Sequence, residues 1–390
     1  MRKAVFSSYV SLTASILRLF PLDALAQQGF PVEYWDMSAL FGASLPSKEI
    51  ARPYTRRFTT WAGLESALLA PEAAELMIIV AAPYEPRFFR LHRLLSRSPA
   101  ALGSVISGAL PMPDRSPLGR GRADLRLLLD PAKVAHFVLK RAAQAARRLG
   151  AVREFDFVFA AGSAAKEEAG RAPVIAVNSA DYDEWLATEA ADPPLVEGRY
   201  AVYLDQFAPA HPDFALLGIK KLINPDRYYA LLNGFFERLE RSCGVAVVIA
   251  AHPKADYPRN PFAGRRILSS STSALVRRCE FALATISTSI GFAVLDRKPI
   301  VFFTTEDMMA RYRPLRHDTA PFRFAKALGR PCLVLDRLPQ QEMRIDAVDA
   351  SLYDDYKYRY LASRETEGRH SSAVYREFFS SRGLAPVRRA

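Results

Sequence analysis

The strongest constraint in this sequence is a set of short apolar runs that each stop at polar residues. Between residues 244 and 305, the β-branched run Val245-Ala-Val-Val-Ile-Ala-Ala251 ends at His252-Pro253-Lys254. A polar loop rich in Pro, Asn and Gly follows over 255–266, and a helix-like segment over 273–280. A second apolar run, Phe281-Ala-Leu-Ala-Thr-Ile286, ends at Ser287-Thr288-Ser289, and a third reaches Phe303. This is strand, helix, strand, helix, strand, with polar residues at the C-terminal end of each strand. In open α/β sheets, ligands bind at that edge.

The same alternation opens the chain. A strand is expected at 4–6, an amphipathic helix at 15–28 with Gly29 as its C′ residue, and a strand at 32–35. A helix near 65–70 and a strand over 75–82 come next. Met1-Arg-Lys and Ala24-Leu-Ala26 superficially resemble a secretory signal. Ser7, Ser8, Ser11, Thr13 and Ser15 interrupt its apolar core, so the segment reads as strand and helix. No run approaches the ~18 apolar residues of a membrane span.

Residues 84–97 are basic and amphipathic, with Phe88, Leu91 and Leu95 on one helical face and Arg87, Arg90, Arg93 and Arg97 interleaved. Such a face can lie on anionic lipid or be an ordinary surface helix with solvated arginines. An arginine-rich loop is expected at 111–126, and Asp130-Pro131 should start a helix reaching Gly150. Strands follow at 155–160 and 173–177. The cluster Asn178-Ser-Ala-Asp181-Tyr-Asp183 after the latter can hold a substrate hydroxyl or a cation, or cap a helix beginning near Glu184.

The segment 191–198, Ala-Asp-Pro-Pro-Leu-Val-Glu-Gly, has linker composition. It divides an α/β domain over 1–195 from a second over 196–345, and a helical tail over 346–390 is placed to pack back on the first. The second domain opens with a strand at 200–204 ending in Asp205-Gln206, and a long helix is expected at 226–243. A last strand is expected at 332–335. The fold class is therefore α/β: two Rossmann-like domains with largely parallel sheets, facing each other across a cleft.

Composition narrows the partners. The 390 residues carry 53 Lys and Arg against 41 Asp and Glu, a net charge of +12, which favours anionic ligands or surfaces. Three dispersed cysteines form no CxxC pair, so neither a disulfide framework nor a zinc site is indicated and a reducing cytosol fits. Walker, HExxH and GxSxG patterns are missing from the sequence, and no nucleic-acid module is recognisable.

Three polar points would line the cleft. Asp205 can act as general base or nucleophile, or can cap or bridge. His252 can hydrogen-bond or protonate a leaving phosphate that Lys254 helps neutralise. The hydroxyls of Ser287, Thr288 and Ser289, with backbone N–H groups where Gly291 enters the next helix, can form an anion site or simply cap that helix.

The pattern of Asp205-Gln206, His252-Pro253 and Ser287-Thr-Ser-Ile-Gly-Phe through Lys298-Pro299 resembles the donor half of GT-B glycosyltransferases of bacterial surface polysaccharide synthesis. It is most similar to the CMP-sugar branch of Kdo transferases and sialyltransferases, and the teichoic-acid glycerophosphotransferases share a similar ending. The resemblance covers 200–305. It implies a CMP-linked acidic sugar as donor, no metal or other cofactor, and a glycan or lipid-linked acceptor bound by the first domain. It also implies work at the inner face of the cytoplasmic membrane as a peripheral protein. His252 would act on the CMP phosphate, with Ser287, Thr288, Ser289, Gly291 and Lys254 around it, and Glu306 would contact the donor ribose. Asp205 would be the catalytic carboxylate; if the base lies in the first domain, Asp181 or Asp183 takes its place. A nucleotide-sugar epimerase, a polyol-phosphate transferase on the same fold, or a non-enzymatic assembly protein are the alternatives.

Overall fold

The computed structural model describes residues 2–42, 49–111, 139, 141, 145–146, 149–188, 194–210, 223–313, 319–338 and 345–386. Nearly all of the expected loop at 111–126, most of the expected helix at 130–150 and the start of the linker at 191–193 lie outside them. One compact unit comprises Met1–Ser107, Arg115–Ala180 and Ala362–Ala390; the other comprises Gly108–Asp114 and Asp181–Leu361.

The first unit is built on seven strands: β1 (Lys3–Ser8), β2 (Val32–Asp36), β3 (Thr55–Arg57), β4 (Leu76–Ala81), β5 (Ala101–Ile106), β6 (Phe157–Ala161) and β7 (Val174–Val177). Their order is β3-β2-β1-β4-β5-β6-β7, and every pairing is parallel. Strand order reverses between β1 and β4, so this is a doubly wound sheet. Both faces are covered, which is why β4 reads as a continuous apolar run and β1 as an apolar run over residues 4–6. Successive residues serve opposite faces. Phe6 packs with Phe20, Tyr34 and Phe159 on one side, while Val5 packs with Trp35, Val80 and Phe88 on the other.

The expected helix at 15–28 is two helices, Ala14–Leu19 and Leu22–Gln27. Pro21 lacks an N–H and forces Phe20 into an extended conformation, so the helix breaks there. The strand β5 was not expected, because Gly103 interrupts its apolar pattern. A Cβ at Gly103 would lie 2.1 Å from the ring of Phe157, its partner on β6. Glycine is therefore required for the two strands to approach.

The helix Phe89–Arg97 decides between the two readings of residues 84–97 in favour of an ordinary surface helix with outward arginines. Phe88, Leu91 and Leu95 are 0%, 1% and 3% exposed, built into the core beside Leu64 and Val80. Only the arginines face outward. Among the described residues, no helix is long and apolar enough to cross a membrane.

The C-terminal helix Ser371–Ser381 completes the first unit, placing Tyr375 and Phe379 against Phe6. Asn178, after β7, holds the segment leading into it. Its Nδ2 donates to the carbonyls of Thr366 and Arg369 at 3.1 and 2.6 Å, and its Oδ1 accepts from Thr366 Oγ1 at 2.7 Å. Its own N–H donates to Ser371 Oγ at 3.0 Å.

The second unit has six strands: β8 (Tyr200–Leu204), β9 (Ala246–Ala250), β10 (Ile267–Leu268), β11 (Ala282–Ala284), β12 (Ile300–Thr304) and β13 (Cys332–Val334). They run in the order β10-β9-β8-β11-β12-β13, again all parallel, reversing between β8 and β11. The helix Pro225–Cys243 joins β8 to β9. Asn224 caps its start by accepting the Arg227 N–H, and Gly244 ends it at φ +62°.

The division between units falls at Ala180–Asp181, ahead of the linker at 191–198. The helix Ala180–Ala187 belongs with the second unit through its side chains: Trp185 Nε1 donates to Asp296 at 2.8 Å, and Arg277 donates to the Trp185 carbonyl at 2.8 Å.

Replacing Asn178 with Ala leaves the buried Thr366 carbonyl and the partly buried Arg369 carbonyl without their side-chain donor, while the Thr366 hydroxyl keeps the Ser363 carbonyl. The expected loss is about 2–4 kcal/mol, read from chemical denaturation. Asn178→Asp should cost at least as much, because its charge would face the carbonyls of Thr366 and Arg369. A loss under about 0.5 kcal/mol for both would show that the clasp contributes little.

Candidate functional site

The polar residues singled out in the sequence lie together at the carboxyl edge of the second unit's sheet, after β8, β9, β11 and β12. The switch point between β8 and β11 is bridged directly, since the Thr285 hydroxyl after β11 donates to Gln206 Oε1 after β8.

Asp205 is 5% exposed. Its Oδ1 accepts the Phe207 N–H at 2.9 Å, and its Oδ2 accepts both the Tyr257 hydroxyl at 2.6 Å and the His252 N–H at 3.2 Å. Burial pushes its carboxyl above the ordinary 3.8, while the hydrogen bonds from Tyr257 and the main chain pull it down without overcoming burial. One buried carboxylate thus joins the end of β8 to the loop after β9.

His252, Pro253, Lys254 and Ala255 form a turn, closed by the Ala255 N–H donating to the His252 carbonyl at 2.8 Å. Proline at the second position pre-sets that turn. Inside it the Lys254 N–H donates to His252 Nδ1 at 3.1 Å. Accepting that bond requires the Nδ1 lone pair, so the ring proton of neutral His252 sits on Nε2. The imidazole and Lys254 are both half-buried. This places a fixed N–H donor and an ammonium two residues apart on one turn.

Ser287, Thr288 and Ser289 follow β11 and lead into the helix Ile290–Leu295. The expected contribution of backbone N–H groups is reduced. Ser289 N–H donates to Ser287 Oγ, Gly291 N–H to the Thr288 carbonyl and Phe292 N–H to the Ser289 carbonyl. What the segment offers a ligand is chiefly its hydroxyls, with Thr288 exposed and the two serines half-buried. Gly291 is buried. A Cβ there would come within 3.0 Å of Leu361 and 3.5 Å of Asp181, so this glycine serves packing.

Glu306 follows β12 at the start of the helix Glu306–Tyr312. Its N–H donates to Asp336 at 2.8 Å, and its carboxylate pairs with Arg337 at 2.7 Å. Asp181 and Asp183 lie in the first turn of the helix Ala180–Ala187, where they favour the positive end of the helix dipole. Asp181 is 7% exposed and Asp183 half-buried.

Sequence reasoning passed over Tyr257 and Phe207. Tyr257 lies in a loop of Pro, Asn and Arg with no periodicity to mark it, and its partner Asp205 is 52 residues away in the chain. Phe207 adopts φ +52°, costly for a bulky side chain, and its ring meets Tyr257 edge-on at 5.2 Å. The strain is held by its N–H bond to Asp205 and by that ring contact. Arg311, 1% exposed, braces the same loop by donating to the Ala208 carbonyl at 2.9 Å. Among the described residues, no group of three or more His, Cys, Asp or Glu is arranged to hold a metal.

No family model and no curated protein sequence matches the chain. Among solved structures it is similar to the wall teichoic acid polymerase TagF, with 11% identity, 98% of this chain and 89% of that one covered, and a TM-score of 0.49. It is also similar to MnaA of S. aureus, solved with UDP, at 12% identity, with 100% and 99% covered and a TM-score of 0.48. A third is the glycosyltransferase SnogD from Streptomyces nogalater, at 12% identity, with 97% and 99% covered and a TM-score of 0.45. At these identities and scores the likeness transfers no residue role.

Tyr257→Phe removes the shortest bond to a buried carboxylate. At pH 7 this should cost about 1.5–3 kcal/mol of stability. Because the folded-state pKa of Asp205 is raised, its favourable contribution is complete below pH 3.8 and is lost as pH rises through the folded value. The variant should raise that value further and move the loss to higher pH. Carbon-detected NMR titration of Asp205 reads the shift directly; an unchanged midpoint would remove Tyr257 from the network.

Proposed function

We propose that the chain is a GT-B glycosyltransferase whose second unit binds a nucleotide-activated sugar at the carboxyl edge of β8, β9 and β11. The observation that carries this reading is one sheet edge holding His252, locked as an Nε2–H donor, with Lys254 beside it and the Ser287–Ser289 hydroxyls across the switch point. These groups suit a phosphate that gains charge as its bond to the sugar breaks. We assign the donor as CMP linked to an acidic sugar such as Kdo or sialic acid, and the acceptor as a glycan or lipid-linked glycan in surface polysaccharide synthesis. The motifs at Asp205-Gln206, His252-Pro253 and Ser287-Thr-Ser support this choice by resemblance.

In the proposed reaction the acceptor hydroxyl attacks the anomeric carbon and gives its proton to a carboxylate. The bond from the anomeric carbon to the phosphate oxygen breaks, and its electron pair stays on the phosphate. His252 donates a hydrogen bond there from Nε2, Lys254 supplies positive charge, and Ser287, Thr288 and Ser289 supply hydroxyl donors, while Glu306 contacts the ribose. Asp205 already accepts three hydrogen bonds and is buried, so its part is to position His252 through the main chain and Tyr257. The proton acceptor is then Asp183, half-buried, in preference to Asp181, which packs beside Gly291. The net charge of +12 suits peripheral attachment to an anionic membrane through electrostatics alone, since the apolar face of Phe89–Arg97 is spent on the core.

Thermal unfolding with CMP, CDP, UDP, GDP and ADP tests the donor site. A ligand at 100 times its Kd stabilises the fold by about 2.7 kcal/mol, and the shift expected with CMP should shrink in Ser287→Ala. A preference for UDP or CDP would keep the site and replace the donor; no shift with any nucleotide would reject the reading. His252→Ala should lower the transfer rate by about 10²-fold or more, and EDTA should leave it unchanged. The same donor site would suit a nucleotide-sugar epimerase, which turns over without acceptor, so acceptor-dependent release of nucleotide separates the two.

A further inference from the structure

The carboxyl edge of the first unit's sheet carries a feature that the donor site does not use. Four aromatic side chains connect across the strand ends: Tyr9 directly after β1, Phe41 after β2, Trp61 after β3 and Phe88 after β4. Their ring centroids are 4.7 Å apart for Tyr9–Phe88, 5.0 Å for Phe41–Phe88 and 5.5 Å for Phe41–Trp61. Tyr9 and Phe88 therefore meet across the switch point between β1 and β4.

Two exposed arginines lie over this aromatic row. The Arg87 guanidinium is 4.5 Å from the Phe88 centroid and 5.2 Å from Tyr9, and that of Arg90 is 4.4 Å from Trp61. A guanidinium held through its π face keeps its N–H groups at its rim, and part of the entropy cost of fixing the side chain is already met. Arg87 shares its Nε with exposed Glu85 at 3.1 Å, whereas Arg90 has no carboxylate partner among the described residues. The result is a pair of oriented forks, the charge of Arg87 shared with Glu85 and that of Arg90 unspent, at the place where doubly wound sheets bind ligands.

The dinucleotide fingerprint does not occur at this edge. The first turn after β1 reads Ser8-Tyr9-Val10-Ser11, with no glycine to let a pyrophosphate approach the backbone and with the Tyr9 ring in its path. Oriented guanidinium forks match a carboxylate or phosphate, and the half-buried rims of Tyr9 and Trp61 offer apolar surface to a ring carrying it. We infer that this edge binds the anionic group, carboxylate or phosphate, of a saccharide. That the saccharide is the acceptor of transfer rests on the function proposed above; the binding itself does not.

The full chain titrated with trigalacturonate, inorganic phosphate and maltotriose tests this by calorimetry and by tryptophan fluorescence. Trigalacturonate should bind, quench Trp61 (the signal missing in Trp61→Phe), and weaken by about tenfold or more in Arg87→Ala/Arg90→Ala. Arg93→Ala, an exposed arginine on the same helix, should stay within about twofold. Competition by phosphate would identify a phosphate-bearing sugar, and none a carboxylate; maltotriose should not bind. Equal affinity in the double variant, an equal loss in Arg93→Ala, or no binding of either anion overturns the inference. The nucleotide-induced thermal shift should persist in the double variant, so this site and the donor site fail independently, and that shift also shows that the variant is folded.

Discussion

Parallel strands cannot be joined by tight turns; each must be followed by a crossover that returns to the starting edge. In both units this gathers every strand's carboxyl end, and the residue after it, along one line. The second unit's edge holds Asp205, His252, Thr285 and Glu306, which are scattered over a hundred residues of sequence. Two contacts turn the line into a shaped surface. The Asp205 carboxylate ties the turn after β9 to the end of β8, and the Gln206–Thr285 hydrogen bond ties β8 to β11. The first adds to the pairing of β8 with β9 in fixing the His252 backbone, and the second adds to the pairing of β8 with β11 in fixing the hydroxyl segment relative to it.

The energetic character of Asp205 follows from this task. A carboxylate exposed enough to exchange protons with substrate would be a poor tether, because water would compete for its lone pairs. Burial makes its hydrogen bonds strong and its charge costly, and the surrounding donors offset part of that cost. The strained Phe207 belongs to the same compromise. Its left-handed backbone lets the chain fold back over the carboxylate, and its ring holds Tyr257 in place.

Much of this architecture was legible in the residues. The central strands β4 and β9 are β-branched and continuously apolar, as buried parallel strands must be, and β1 and β8 carry apolar runs at residues 4–6 and 200–204. His252 and Ser287 could be located because each ends an apolar run, 245–251 and 281–286, that contains β9 and β11 respectively. The strands that escaped notice, β3 and β10, are two or three residues long, where no periodicity can develop. Gly103 concealed β5, and only its closeness to Phe157 explains why a glycine is needed there. Tyr257 was illegible for a different reason: its role depends on a partner brought near by tertiary structure. The amphipathic pattern of residues 84–97 was visible but ambiguous, since the same spacing serves a core or a membrane; here the core claimed it.

The first unit is not contiguous in the chain, and its final piece is the C-terminal helix held by Asn178. During synthesis the second unit's segment leaves the ribosome complete, while the seven-stranded sheet still lacks Tyr375 and Phe379 over Phe6. The strands that precede the second unit in the chain can therefore complete their core only after that unit has been made. Until residues 371–381 are made, the part of that sheet face under Tyr375 and Phe379 stays uncovered, an exposed apolar surface of the kind that promotes misassociation.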